Sequence, residues 1–298
     1  MTTKRKTAKA SKKAGKSKPK ARRSARGALT IATSARKSVP ERVAAMTNLP
    51  LAVAESDDEH LQALMAVLRN EDEPIKVRLA ALQSLQAASF SSAAFESCRG
   101  DFIATLRKVA DDPDPEIRQR VLGILAREKD GFAQKKLLDG LKDPAKALVP
   151  PEKALQLLTY DVHAEAYSIA RDIVSNPPNP EARHEALRLL AADATSAPMF
   201  EKLLRDKDEL RDVRQVAASA LQALDPEKLQ KHARAMILDK SEYDDIQATS
   251  LTALSQFGDD ESVAKDNELL KSVDRVSASK APTKYKQSAR RFLSKHGK

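Results

Sequence analysis

The sequence predicts an all-α protein, an α-solenoid of about seven to eight stacked helix pairs behind a disordered basic segment. One motif of small and apolar residues recurs eight times along the chain, at intervals of 31 to 40 residues. The composition favours helices, because the chain has only 8 Gly in 298 residues and no Trp, while 41% of its residues are hydrophobic. A short helix pair cannot bury its own apolar face, whereas stacked neighbours can, so the repeats predict one continuous core.

The first 38 residues differ in character from the rest of the chain. They contain 14 Lys or Arg and no Asp or Glu, which leaves a net charge of −4 on the other 260 residues. Lys, Ala, Ser and Thr recur there without apolar periodicity, so the segment cannot bury enough surface to offset its ordering entropy. We therefore expect residues 1–38 to form a disordered basic tail, with at most a short helix near Ala28–Ser34. Residues 39–298 are expected to form the helical array.

The repeated motif consists of an anchor residue, a small residue three positions later and a Leu seven positions later. This spacing places the small residue and the Leu on one face of a helix, which predicts the second helix of each pair. The anchors are Arg42, Arg78, Arg118, Pro151, Arg183, Arg214, Gln247 and Lys286. The corresponding leucines are Leu49, Leu85, Leu125, Leu158, Leu190, Leu221, Leu254 and Leu293.

An apolar-periodic stretch precedes each anchor helix and predicts the first helix of the pair. Examples are residues 60–69, 101–110, 132–141, 162–174, 199–205, 229–238 and 263–276. Acidic or proline-bearing turns separate the two helices, at residues 71–74, 111–115, 176–180 and 206–209. Pro suits the first turn of a helix and Asp caps its N-terminus, so these turns should end one helix and begin the next.

Three of the anchors belong to the pattern D-x-x-x-x-x-R, which precedes the small and Leu positions. The residues are Asp72 and Arg78, Asp112 and Arg118, and Asp208 and Arg214. The pattern resembles the HEAT repeat over roughly residues 39–298. The resemblance implies that the turn Asp and the second-helix Arg of adjacent repeats hydrogen-bond in a ladder along the stack. Because the anchors Pro151, Gln247 and Lys286 are not Arg, we expect this ladder to be interrupted. HEAT-like arrays serve many partners, so the resemblance predicts architecture rather than function.

The basic residues of the tail predict binding to nucleic acid or another polyanion. Flexible Lys and Arg side chains neutralise phosphates and release counterions, which gives sequence-independent, salt-sensitive binding. The densest run comprises Lys4, Arg5, Lys6, Lys12, Lys13, Lys16, Lys18, Lys20, Arg22, Arg23 and Arg26, and it resembles the tails of linker-histone-like and ribosomal proteins. The tail has no aromatic residue on which a base could stack, so binding should be directed at the nucleic-acid backbone.

Two other interpretations of the tail stay open. It could serve as a nuclear import signal or as an aid to solubility. It could also contact an acidic surface of its own chain or of a second copy, because residues 39–270 carry a net charge near −12.

The C-terminal residues are basic as well. Residues 271–298 contain nine Lys or Arg and a single acidic residue, Asp274. Arg290 and Arg291 stand where the equivalent helices have mostly apolar or small residues, so they would form the centre of a second basic contact surface. The alternative is a polar helix that caps the array.

The remaining candidates for chemistry have structural interpretations. The acidic turns lack the ligand order and central Gly of a calcium loop, and the five histidines show neither HxxxH nor HExxH spacing. No GxGxxG, GxxxxGK[ST] or GxSxG motif is present. The single cysteine, Cys98, excludes an internal disulfide and favours a reducing compartment. We therefore predict no metal, cofactor or catalytic residue.

These observations favour a non-catalytic binding protein, in which the array engages a protein partner and the tail engages nucleic acid or another polyanion. Two enzyme groups are built on HEAT-like arrays, alkylpurine DNA glycosylases and bilin lyases, and the basic tail makes the first relevant. The glycosylases handle bases with aromatic side chains, including Trp, and this chain has no Trp. The alternatives are therefore a DNA-acting enzyme on the same array, and a pure protein scaffold whose tail only localises it.

The sequence also bears on location. No stretch approaches the ~18 apolar residues of a membrane-spanning helix, and no apolar segment follows the N-terminal charges as in a secretory signal. We expect a cytoplasmic protein, or one associated with a nucleoid or nucleus. The sequence leaves the oligomeric state open.

Overall fold

The computed structural model describes residues 18–49, 57–91 and 95–297, and in these residues all regular secondary structure is helical. The α-helices are α1 (Lys18–Thr33), α2 (Val39–Thr47), α3 (Asp57–Arg69), α4 (Ile75–Ser91), α5 (Phe95–Val109), α6 (Pro115–Arg127), α7 (Gly131–Lys142), α8 (Pro151–Leu158), α9 (Ala164–Ser175), α10 (Pro180–Leu190), α11 (Ala197–Arg205), α12 (Arg211–Leu224), α13 (Pro226–Leu238), α14 (Asp244–Phe257), α15 (Asp260–Lys265), α16 (Asn267–Ala278) and α17 (Thr283–His296). Two 3₁₀ turns, Pro144–Lys146 and Ala194–Ser196, precede α8 and α11. The predicted all-α class of stacked HEAT-like helix pairs is confirmed.

In the described part of the chain the helices alternate as the first and second helices of eight repeats, and every predicted anchor lies in a second helix. These second helices are α2, α4, α6, α8, α10, α12, α14 and α17. The stretch at 263–276, predicted as one helix, is instead divided into α15 and α16. The division occurs because the Asp266 side chain accepts a hydrogen bond from the backbone N–H of Leu269, which caps a new helix.

Two compact units divide the chain, residues 1–135 and residues 136–298. In the first unit, α2 packs on α4 and α3 packs on α5, so like helices of successive pairs are neighbours. In the second unit, α8, α10, α12, α14 and α17 pack one on the next in the same way. The second helices therefore form one layer in the second unit, and α2 and α4 do so in the first.

The motif positions build the core of both units. Of the eight motif leucines, seven are buried and Leu293 is partly buried, as expected for one helix face that points inward. The small residues three positions after the anchors are buried as well, apart from Ala45. In the last pair, Tyr285 and Phe292 add aromatic volume to a core that otherwise relies on aliphatic side chains.

Side chains in the turns start the second helices. Ser38 and Glu41 form a reciprocal capping box at α2. At α6, the Asp114 carboxylate accepts hydrogen bonds from two backbone N–H groups while Pro115 occupies the first helical position. Asn179 caps α10 in the same way. The acidic and proline-bearing turns thus separate the helices where the sequence predicted.

Helix α1 changes the predicted boundary of the N-terminal tail. Disorder was expected through residue 38 apart from a short helix near Ala28–Ser34, but α1 spans Lys18–Thr33 and packs against α2 and α3. The side chain of Ala32 is fully buried, and its carbonyl accepts a hydrogen bond from Nε of Arg42 at 2.9 Å. The segment is therefore the first helix of the first pair. Its charge pattern gave no indication that it packs against other helices. Residues 1–17, which hold the rest of the predicted tail, lie outside the described residues.

Candidate binding surfaces

Four anchor arginines connect consecutive helix pairs. In each case Nε donates to a carbonyl near the end of the first helix of the same pair, and the guanidinium binds a carboxylate in the turn of the next pair. The contacts are Arg42 with the Ala32 carbonyl and Glu73, Arg78 with the Leu68 carbonyl and Asp112, Arg183 with the Val174 carbonyl and Glu209, and Arg214 with the Leu204 carbonyl and Glu242. One side chain thus caps a helix C-terminus and neutralises an acid of the neighbouring repeat.

The three predicted ladder aspartates differ in whether they bind an arginine. The Arg78 guanidinium contacts both carboxylate oxygens of Asp112, as the HEAT resemblance implies. Asp72 and Asp208 are exposed, and the carboxylate in their turn that binds the arginine is the next residue, Glu73 or Glu209. A Glu side chain is one methylene longer, so it reaches the arginine from one position further along the turn.

Arg118 also departs from the expected ladder. Its Nη1 donates to the carbonyls of Asp112 and Pro113 at 2.7 and 2.9 Å, within its own turn. The anchor Gln247 takes over half of the arginine's role, because its Nε2 donates to the carbonyls of Met236, Ile237 and Asp239 at 3.1, 3.2 and 2.9 Å.

Burial and charge pairing oppose each other at Glu242. Burial raises the pKa of this carboxyl, but hydrogen bonds from Arg214 and Lys207 outweigh burial and hold the pKa below its usual range. The three side chains lie within hydrogen-bond distance, with Arg214 and Lys207 each 2.6 Å from Glu242 Oε2. The carboxylate is therefore ionised at neutral pH and links α12 to the turn that precedes α14.

The first helices carry a second row of ion pairs that the sequence analysis did not find. The pairs are Arg107 with Asp130, Arg171 with Asp193 and Arg234 with Asp266, each with a nitrogen–oxygen distance of 2.6 Å. In each pair the carboxylate also accepts a backbone N–H in the turn ahead of the next first helix. In the sequence, each of these ion pairs appears as an Arg in a first helix and an Asp 22 to 32 residues later. It was missed because the anchors alone were aligned.

The last helix pair has basic side chains that lack such partners. Lys271, Arg275, Lys280, Lys284, Lys286, Arg290 and Arg291 make no ion pair with any described residue. All are exposed except Lys286, which is half-buried. Lys295 of the same helix does have a carboxylate partner, because its Nζ lies 2.8 Å from Oδ1 of Asp260. The structure thus places Arg290 and Arg291 together on the exposed side of α17.

Most of the predicted tail residues cannot be located in the same way. Lys4, Arg5, Lys6, Lys12, Lys13 and Lys16 lie outside the described residues. Lys18, Lys20, Arg22 and Arg23 belong to α1, but their side chains also lie outside the description. Arg26 is exposed on the same helix. The polyanion interpretation of the tail therefore stays a prediction.

A cleft of about 490 Å³ lies in the second unit between α7, α8 and the turn that follows α9. Its walls include Leu137, Leu141 and Ile173, and Pro151 and Asn179 stand beside them. The four ladder arginines and Gln247 are each the fourth residue of their helix, but the fourth residue of α8 is Ala154, which lines the cleft and has no side-chain donor, and the predicted anchor Pro151 is the first. Glu152 follows it, and its Oε2 accepts a hydrogen bond from Nδ2 of Asn179 at 3.1 Å.

Other chemistry finds little support in the described residues. No group of His, Cys, Asp and Glu side chains there could hold a metal ion. Cys98 is buried, and burial together with the nearby Asp58 carboxylate raises the pKa of its thiol, which disfavours the nucleophilic thiolate. None of the helices that the structure describes is long and apolar enough to cross a membrane.

Comparison with known proteins bears on the fold. Residues 61–150 match the family model of HEAT repeats. No curated protein sequence matches the chain. Among solved structures, the chain is similar to the complex of CpcE and CpcF of phycocyanin lyase from Nostoc sp. PCC7120, with 17% identity, a TM-score of 0.36, and coverage of 84% of this chain and 92% of that one. It is also similar to human deoxyhypusine hydroxylase, with 15% identity, a TM-score of 0.34, and coverage of 80% and 96%.

Proposed function

We propose that this chain is a non-catalytic binding protein whose last helix pair, α16 with α17, holds a polyanion of the nucleic-acid backbone type. The observation that supports the proposal is the set of seven basic side chains from Lys271 to Arg291 without a carboxylate partner. The arginines of the ladders bind acids of neighbouring repeats, whereas these seven side chains make no ion pair with a described carboxylate. Such a patch raises the local concentration of anions and gains free energy when phosphates replace its counterions.

The surface favours contacts to phosphates over contacts to bases. The two aromatic residues of α17, Tyr285 and Phe292, are buried in the core of the second unit. The exposed side of the helix therefore offers charge without a ring on which a base could stack. We infer a contact with low sequence specificity and a steep dependence on salt.

Two further parts of the proposal concern the tail and the array. Residues 1–17 carry seven Lys or Arg and no acid, and they would add a second polyanion contact. A protein partner would bind the array surface, where Leu210 and Tyr243 stand exposed at the starts of α12 and α14. Tyrosine in particular is enriched at the energetic centres of protein interfaces.

The test is fluorescence anisotropy with a labelled 20-base-pair DNA of arbitrary sequence across a salt series. Wild type is compared with the double variant R290A/R291A and with a chain lacking residues 1–17. The control is K202A/R205A, which also removes two exposed charges, from α11 of the same unit. Each phosphate contact contributes a slope of about −0.9 to the log–log salt dependence, so R290A/R291A should make the slope shallower by about 2.

The outcomes separate the parts of the proposal. If K202A/R205A weakens binding as much as R290A/R291A does, only net charge matters and α17 is not the contact. If loss of residues 1–17 alone abolishes binding, the polyanion contact belongs to the tail. If wild type does not bind DNA at moderate salt, the polyanion function is wrong.

A further inference from the structure

The cleft beside α7 and α8 lies where both members of the arginine ladder are replaced. The helix position that carries the ladder arginines is Ala154 in α8, and this side chain lines the cleft. The turn of the next pair, which in the ladders supplies a carboxylate, contains Asn176 and Asn179 and no acid. No guanidinium and no carboxylate of the ladder type therefore fill this space, and about 490 Å³ stays open within the second unit.

The wall of the cleft is mainly apolar and is built from three elements. Leu137 of α7 and Ile173 of α9 are buried, and Val149 comes from the turn ahead of α8. Gly140 allows this turn to lie directly on α7, because a Cβ at Gly140 would stand 2.9 Å from Cα of Ala147. A concave site of this volume with mainly apolar walls is typical of sites for small organic molecules.

The charged residues in the wall of the cleft are lysines. Lys136 and Lys142 of α7 both line it, whereas no Asp or Glu of the described residues does. The Asn176 amide adds a hydrogen-bond donor to the same wall. The cleft is therefore complementary to an anion and unfavourable for a cation.

The present partner of Lys142 shows which anion suits the site. Lys142 pairs with the carboxylate of Glu165, which lies outside the wall of the cleft. The two side chains are 49% and 55% exposed, and ion pairs of such exposure contribute little to stability. A carboxylate that enters the cleft can therefore take the place of Glu165 beside Lys142.

We propose that the cleft binds a small aliphatic monocarboxylate, whose carboxylate lies at Lys136 and Lys142 and whose hydrocarbon chain lies along Leu137, Val149 and Ile173. Lysine ammonium groups donate charge-assisted hydrogen bonds to the carboxylate, and burial of the chain adds hydrophobic free energy. The proposal is independent of polyanion binding at α17, and its failure would leave that function untouched.

Calorimetric titration of the full chain with octanoate tests the proposal. The matched ligands are 1-octanol, which has the same chain without the charge, octylamine, which has the opposite charge, and butyrate, which has a shorter chain. We expect octanoate to bind about tenfold more tightly than 1-octanol, as a hydrogen bond to a charged group implies. Octylamine and butyrate should bind more weakly than octanoate by at least about tenfold.

Substitutions in the wall locate the site. The double variant K136Q/K142Q removes both charges and should weaken octanoate binding about tenfold without a change in 1-octanol binding. The control K135Q/K146Q removes two charges from exposed side chains of α7 and the following 3₁₀ turn that do not line the cleft, and it should leave octanoate binding unchanged. Ala154→Leu adds apolar volume inside the cleft and should weaken the binding of both ligands.

Equal binding of 1-octanol or octylamine would overturn the proposal, because the cleft would then recognise only the chain. Wild-type affinity of K136Q/K142Q for octanoate, or no binding of octanoate to the folded wild type, would overturn it as well. Should A154L fail to fold, the ligand series and the lysine variants still decide. If a peptide that ends in Ala-Leu with a free carboxylate binds more tightly than octanoate, the cleft belongs to a polypeptide C-terminus and the small-molecule ligand is wrong.

Discussion

At the scale of single residues, the anchor arginines combine two roles that are usually separate. Each caps the C-terminus of one helix and compensates a carboxylate of the next repeat. The two roles explain why Gln247 is tolerated, since an amide can donate to carbonyls but does not neutralise an acid. At the equivalent position of α8, Ala154 can do neither.

Substitution of Arg78 should destabilise the first unit more than substitution of Arg42. Arg78→Met leaves the Asp112 carboxylate, which is only 2% exposed, without a cation, whereas Arg42→Met leaves the more accessible Glu73, which is 13% exposed. Removal of one partner from a buried ion pair typically costs about 3–5 kcal/mol. Urea unfolding followed by circular dichroism should show a loss of this order for R78M and a smaller loss for R42M.

The double variant R78M/D112N is the control for this explanation. Asparagine keeps an oxygen that can accept the N–H of Asp114 and removes the uncompensated charge. The double variant should regain most of the stability lost in R78M. If R78M/D112N is as unstable as R78M, the loss comes from packing of the arginine stem and the uncompensated charge is not its cause.

At the scale of elements, α17 has two faces with opposite character. Tyr285, Ala289, Phe292 and His296 recur at helical spacing and are buried, and burial raises the pKa of Tyr285 to about 12. Arg290 and Arg291 lie on the exposed side. The docking of α17 in the second unit therefore depends on a histidine at the end of its apolar face.

The docking of α17 should weaken below pH 6.5. Burial lowers the pKa of His296, the charge of Lys295 lowers it further, and Asp260 opposes both. A folded-state pKa below the unfolded value of 6.5 means that the unfolded state binds the proton more tightly. The stability from neutral His296 is therefore complete above pH 6.5 and is lost as the pH falls toward the folded-state pKa.

Hydrogen exchange of residues 283–297 between pH 5.5 and 7.5, corrected for intrinsic rates, measures this effect. Protection in wild type should decrease toward pH 5.5. His296→Phe fills the same apolar site without a titrating group and should remove the dependence. Asp260 does not titrate in this window, because its pKa is itself lowered, chiefly by its hydrogen bond with Lys295. An unchanged slope in H296F would show that another group is responsible.

The elements show how far sequence patterns reach. The anchor, small residue and Leu spacing located all eight second helices, because burial of one helix face dictates that periodicity. Only the end of α1 was predicted, as a short helix near Ala28–Ser34, since the Lys, Arg and Ala that precede it give no sign that the helix packs on its neighbours. The use of Glu73 in place of Asp72 depends on side-chain reach across a turn, which spacing alone does not determine. The longer turn before α8, which shifts the position equivalent to the anchors from Pro151 to Ala154, was not visible in the spacing.

At the scale of the whole molecule, two sets of ladder contacts stabilise two compact units separately. Arg42 and Arg78 make their ion pairs within residues 1–135, and Arg183 and Arg214 make theirs within residues 136–298. The boundary between the units falls in α7, the first helix of the pair whose anchor is Pro151. In repeat arrays stability is a sum of local terms and interfaces between neighbouring repeats, so a weak link allows independent opening.

A single ladder substitution should therefore act within its own unit. Native-state hydrogen exchange should show that R78M lowers the protection of amides in α3 to α6 and leaves those in α10 to α14 near their wild-type values. Arg214→Met should give the reverse pattern, because it leaves Glu242, which is fully buried, with Lys207 as its remaining cation. Equal loss of protection in both units for either variant would show that the chain opens as one cooperative structure. In that case the absence of a ladder arginine from α8 would not weaken the stack.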